Sequence, residues 1–182
     1  MSAGDRTGLL DRISLASRQQ QAFRAAVLGS GMLFLALLPT AGGEFHPVLT
    51  AVGAVLVLVA VVVPESNAPF ATLAYLGGLW VLTVSRTSGI EVLAAAVLLC
   101  VLHLACLLAS YGPPGLVLER SFLRLWWLRF GLCVGAAVLV WLTTAAVRLL
   151  DLPPSPLALG AALALVLGWV AVLTGRLTGR RP

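Results

Sequence analysis

The sequence predicts an all-α transmembrane protein, a bundle of six membrane-spanning helices with both termini on the cytoplasmic side. Three observations lead there. Of 182 residues, 60% are hydrophobic and 10% charged, and mean hydropathy is +1.02, against about half apolar and a quarter charged in an ordinary globular domain. The apolar residues fall into six runs divided by Pro, Gly and polar clusters. Arginines gather on one side of those runs, as short cytoplasmic loops require.

Residues 1–21 are polar, with Arg6, Arg12 and Arg18 set against Asp5 and Asp11, and with Leu9, Leu10, Ile13 and Ala16 near helical spacing. This composition suits a frayed tail or an amphipathic helix on the lipid surface. No short apolar run with a small-residue cleavage site follows, so no signal peptide is expected. A membrane domain is expected over residues 22–175. Its first span, 22–40, closes at Pro39, Gly42 and Gly43, before an outer loop with Glu44 and His46. The second and third, 47–63 and 69–84, are joined by Pro64, Glu65, Ser66, Asn67 and Ala68. Each reaches only about 25 Å, so the pair either thins the bilayer or forms a re-entrant hairpin.

The fourth span, 90–110, opens on what reads as a capping box, Ser88 as N-cap with Glu91 three residues on. After Gly112, Pro113, Pro114 and Gly115 comes a basic ramp, Arg120, Arg124 and Arg129 among Phe122, Trp126 and Trp127, leading into the fifth span, 125–150. The sixth, 156–175, has Ser155 as N-cap and Pro156 at the first helical position, where its missing N–H costs nothing. Residues 176–182 form a basic tail.

Counting arginines sets the orientation. With the N-terminus inside, the inner regions hold Arg6, Arg12, Arg18, Arg24, Arg120, Arg124, Arg129, Arg176, Arg180 and Arg181, and the outer loops hold Arg86 and Arg148. The opposite orientation would invert this ratio, so the inner, cytoplasmic membrane with both termini cytoplasmic is expected. Every basic residue is Arg, and Ala, Leu, Val and Gly dominate, a composition that suits a high-GC bacterial genome. The basic balance marks topology and contact with anionic lipids, not nucleic acid.

In lipid, small residues four apart mark helix contact faces. Gly160, Ala164 and Gly168, Gly131 and Gly135, and Ala105 and Ala109 have this spacing. Spans five and six are expected to pair, with an unused stripe open to a homo-oligomer. Trp80, Trp126, Trp127, Trp169 and Tyr111 fall near span ends as interfacial anchors, and Trp141 lies deeper.

The chain holds three cysteines, Cys100, Cys106 and Cys133. All lie in apolar runs and act as small hydrophobes, not as a disulfide framework. His103 is the ionisable group well inside a span. Counted from the cytoplasmic ends, it lies at a depth near those of Tyr75 and Cys133, and the three form a candidate polar site. The plain account is a neutral imidazole hydrogen-bonded to Tyr75 or to a carbonyl, and the sharper one is a relay or ligand contact. Cys100, His103 and Cys106 rotate too far around the helix to share one ion, so no metal is expected. No phosphate loop, zinc-protease helix or nucleophile elbow occurs, and the carboxylates are isolated, so no cofactor and no ordinary enzyme is expected. The ramp of Arg120, Arg124 and Arg129 is a candidate docking patch for lipid or for an acidic partner.

The pattern of Pro64, Glu65, Ser66, Ala68 and Pro69, then Trp80, then His103 in an Ala/Leu-rich span, then Pro113 and Pro114 resembles a group of small bacterial multi-spanning membrane proteins. These are encoded beside a MoxR-type AAA+ ATPase, a von Willebrand A-like protein and a transglutaminase-like membrane protein. The resemblance covers about residues 60–130 and implies an accessory subunit of an envelope assembly, with no catalytic residues to carry over. The expected function is therefore a non-enzymatic membrane scaffold or accessory subunit with a membrane or cytosolic protein partner. A small transporter or channel built around His103 is the alternative, since three spans plus three would have the opposed orientations of an inverted repeat.

Overall fold

The computed structural model describes residues 17–44, 46–84, 89–111 and 118–149, together with Gly160, Ala164 and Gly168. The described residues form five helices: α1 (Arg18–Thr40), α2 (Pro47–Val62), α3 (Ala68–Thr83), α4 (Ile90–Ala109) and α5 (Arg120–Leu149). The protein is an all-α, multi-pass membrane protein.

The expectation of six spans is overturned. Among the described residues three helices, α1, α4 and α5, are long and apolar enough to cross a bilayer. Helices α2 and α3 have 16 residues each, about 24 Å against a hydrocarbon core of about 30 Å, and fall short of a span. The sixth segment, 156–175, and the tail, 176–182, lie outside the described residues, except that Gly160, Ala164 and Gly168 are helical and exposed. The expected pairing of segments five and six also lies outside them.

Helix ends follow from local chemistry. Ser17 caps α1, its hydroxyl accepting from the Gln20 N–H at 3.3 Å, so the helix begins four residues before the apolar run. At the other end Gly42 adopts φ 78°, and the N–H groups of Gly42 and Gly43 donate to the carbonyls of Pro39 and Leu38. This is a Schellman closure, which needs a left-handed residue where Gly42 stands. Pro47 opens α2. In the α2–α3 turn Asn67 is the N-cap of α3, and Ser66 makes the side-chain ties: its hydroxyl donates to the Val63 carbonyl and accepts from the Ala68 N–H. Gly89 is the N-cap of α4, with no side-chain cap bond. The expected cap, Ser88, is outside the described residues, and the Glu91 carboxylate folds back against Gly89. Helix α5 starts five residues earlier than expected and takes the arginine ramp into its first turns.

Packing is tightest where α1 meets its neighbours. Phe34, Leu35, Leu38, Val57, Leu76, Leu102, Ala105 and Cys106 form the buried core. A Cβ on Gly31 would stand 2.6 Å from Val57 Cγ2, and one on Gly53 would stand 3.0 Å from Leu35 Cδ2. Small residues thus let α1 and the α2–α3 hairpin approach closely, the main source of helix association in lipid. Phe34 of α1 packs on Trp80 of α3 with ring centroids 5.7 Å apart. Fully buried Thr72 has its hydroxyl within reach of its own helix at the Ala68 carbonyl and of α2 at the Leu56 carbonyl, 3.1 Å away. Of the expected stripes, Ala105 and Ala109 are buried.

Two ends of the bundle can be told apart. At one, Gln19 accepts from the Leu118 N–H at 2.8 Å, joining the start of α1 to the approach to α5, and Tyr111 stacks on Phe122 at 4.7 Å. At the other, the space beside Gly43 is bounded by Val84, and Trp141 Nε1 donates to the Gly89 carbonyl. The arginines of the described residues therefore divide. Arg18, Arg24, Arg120, Arg124 and Arg129 lie toward the first end and Arg148 at the second.

Candidate functional site: the seam of α4 and α5

Helix α5 has 30 residues, none of them buried, and α4 is its principal neighbour. The register of this antiparallel pair is set at two points, Gly89 with Trp141 and Tyr111 with Phe122; counting eleven residues along each helix from the second brings Cys100 level with Cys133. The partners' positions change in opposite directions, 22 residues on the α4 side against 19 on α5, as antiparallel helices require.

This register assigns the sequence-predicted residues. His103 is three residues beyond Cys100, and Arg129 is four before Cys133. Both therefore lie about 5 Å from the cysteine pair, toward the Arg-rich end. Successive residues turn by about 100°, which carries His103 and Arg129 off the contact line in the same sense, and so onto the same flank of the seam. Arg124, by the same count, points away from α4. The ramp is thus divided: Arg120 and Arg124 face outward, and Arg129 borders the seam. Its guanidinium lies over the Trp126 ring, 5.0 Å from the centroid, a cation–π contact that fixes a long side chain. Phe122 extends the aromatic run, 6.0 Å from Trp126, and Trp127 packs edge-on against Phe130 at 5.8 Å.

The candidate trio of His103, Tyr75 and Cys133 is distributed differently. Tyr75 gives its hydroxyl to the Leu49 carbonyl at 2.8 Å, a bond internal to the α2–α3 hairpin. His103 is exposed, and no hydrogen bond joins it to Tyr75 among the described residues. Cys133 is exposed, Cys100 partly buried and Cys106 buried. Among the described residues no group of three His, Cys, Asp or Glu side chains could hold a metal ion.

Deeper along the seam is a feature that sequence reasoning missed. Val92, Leu93 and Ala96 of α4 and Ala136, Ala137 and Val140 of α5 line a cleft of about 290 Å³. Trp141 and Thr144 complete it at the end away from Arg129. Their polar atoms are already engaged, Trp141 Nε1 with the Gly89 carbonyl and the Thr144 hydroxyl with the Val140 carbonyl, which leaves an apolar lining. The small residues at 96, 136 and 137 were its signal, but they do not share the four-residue spacing that marks a contact stripe.

Among known proteins, no family model, no curated protein and no solved structure matches this chain.

Proposed function

We propose that the protein is a non-enzymatic scaffold or accessory subunit of a membrane-associated complex, and that the outward face of α5 receives a transmembrane helix of the partner. One observation carries this reading: a 30-residue apolar helix in which no residue is buried. Away from α4 that helix presents Leu128, 45% exposed, and Leu142, 51% exposed, with Gly131 and Gly135 between them. Gly131 is exposed, and among the described residues no neighbouring atom lies within 4 Å of where its Cβ would be. Glycines four apart let a second helix approach closely, and packing of that kind holds helices together in lipid. The resemblance of residues 60–130 to proteins encoded beside a MoxR-type ATPase points to an envelope assembly as the setting.

The proposed orientation puts the Arg18–Arg129 end in the cytoplasm. Five of the six described arginines lie toward that end, Arg18, Arg24, Arg120, Arg124 and Arg129 against Arg148, the asymmetry that retention of positive charge produces. The inner membrane is the proposed location.

Purification in a gentle detergent from the native host, followed by identification of bound proteins, tests the assignment. A stoichiometric membrane partner that is lost on Gly131→Leu supports it. Recovery of the chain alone, with or without that substitution, contradicts it.

A further inference from the structure

We propose that the flank of the α4–α5 seam holds one anionic phospholipid, its phosphate on Arg129, its glycerol ester carbonyls beneath His103 and one acyl chain in the apolar cleft beyond. This goes further than the scaffold reading and does not depend on it, because the outward face of α5 is left free.

The groups occur in the order that a phospholipid presents its own. Nearest the helix end is the Arg129 guanidinium, held over Trp126 at 5.0 Å. Stacking occupies one face of the guanidinium and leaves its N–H edge open, the edge that matches a phosphate oxygen pair. Side chains lean toward the N-terminus of their own helix. In this antiparallel pair that tilt carries Arg129 toward the headgroups and His103 away from them, deeper into the membrane. His103 is exposed and no hydrogen bond within the described residues engages it, so an imidazole N–H is available to an ester carbonyl. Ala96 lies seven residues, about 10 Å, deeper on the same helix. There the cleft of about 290 Å³ begins, narrow-walled because Ala96, Ala136 and Ala137 are small. Trp141 closes the far end with its N–H already committed to Gly89. A hydrocarbon chain suits this lining, and the positive charge at the mouth selects an anionic head.

Native mass spectrometry of the full chain, purified in detergent and titrated with phosphatidylglycerol or phosphatidylcholine, tests the proposal. The wild-type protein is expected to retain one phosphatidylglycerol in preference to phosphatidylcholine. Arg129→Ala and His103→Leu should each weaken retention, Arg129→Ala by roughly tenfold, the size of one charge-assisted contact. Ala136→Phe, which fills the cleft and leaves every charge in place, should weaken it too. Arg120→Ala combined with Arg124→Ala should leave it unchanged. If Arg129→Ala does not purify as a monodisperse particle, Arg129→Lys keeps the charge without the planar stack and should still bind more weakly. Equal retention across all variants, an equal loss in the Arg120 and Arg124 pair, or displacement of the lipid by inorganic phosphate would each overturn the proposal.

Discussion

Val57 of α2 is seated on Gly31 of α1: its two methyl groups occupy the space a Cβ on residue 31 would need, at 2.6 and 2.7 Å. The hairpin is thereby anchored to α1 at a level set by two residues 26 positions apart. Both are buried, and Val57 is branched at Cβ and has little freedom to turn aside.

Gly31→Ala should therefore destabilise the protein by about 1 to 3 kcal/mol, the usual cost of forcing extra volume into a packed core. Thermal unfolding in detergent measures this. Combining it with Val57→Ala should recover part of the loss, since the second substitution removes the methyls that clash. Purely additive losses would mean that the two residues do not bear on one another.

Thr72 brings its one hydroxyl hydrogen within reach of two carbonyls, Ala68 of its own helix at 2.8 Å and Leu56 of the other arm of the hairpin at 3.1 Å. Thr72→Val keeps the shape and removes the donor. The expected cost is about 0.6 kcal/mol, the average for such bonds between membrane helices, with about 1.7 kcal/mol as the upper range. Thr72→Ser should cost less than Thr72→Val in the same unfolding experiment.

Gln19 holds the approach to α5 by accepting from the Leu118 N–H. Without that acceptor the partly buried N–H loses its partner and the segment before Arg120 loosens. Gln19→Ala should accelerate trypsin cleavage at Arg120 while leaving cleavage at Arg148, at the opposite end, unchanged. Equal cleavage rates in the two proteins would remove this role from Gln19.

Cysteines introduced at Ser66 and at Glu44, in a background without the native thiols, should not label from opposite sides of the membrane, because α2 and α3, at 16 residues each, fall short of a span. The turn that contains Ser66 begins at Val63, six residues beyond Val57, and so starts level with about Ala25, six residues before Gly31 on α1. Glu44 follows the closure of α1 at the far end, 3.5 Å from His46. Labelling of both from one side would place the turn within the bilayer, as in a re-entrant hairpin.

The helices were legible because composition and punctuation speak locally. Pro39 with Gly42, and Pro47, mark ends that the backbone then adopts. The number of spans was not legible, since 47–63 and 69–84 are as apolar as true spans and differ from them only by a turn or so of length. The grouping of His103 with Tyr75 rested on depth alone. Rotation about each helix decides what a side chain meets, and it gives the Tyr75 hydroxyl to Leu49. Arg129 could have been separated from Arg124 by the same rotation, had the facing stripe of α5 been identified from Trp126 and Cys133. Gln19 and Leu118, 99 positions apart, carry no local signal of their contact. Gly31 and Gly53 act singly, each against a side chain of another helix, and so have no periodic signature.

The central claim is that α5 keeps its outward face for another protein's helix. A photo-crosslinking residue placed at Leu142, half exposed on that face, tests it in native membranes, with the same residue at Leu102, 1% exposed in the core of α4, as the control. The account predicts one adduct of defined mass with a second membrane protein from position 142 and none from position 102. Adducts from position 142 with lipid alone would contradict it.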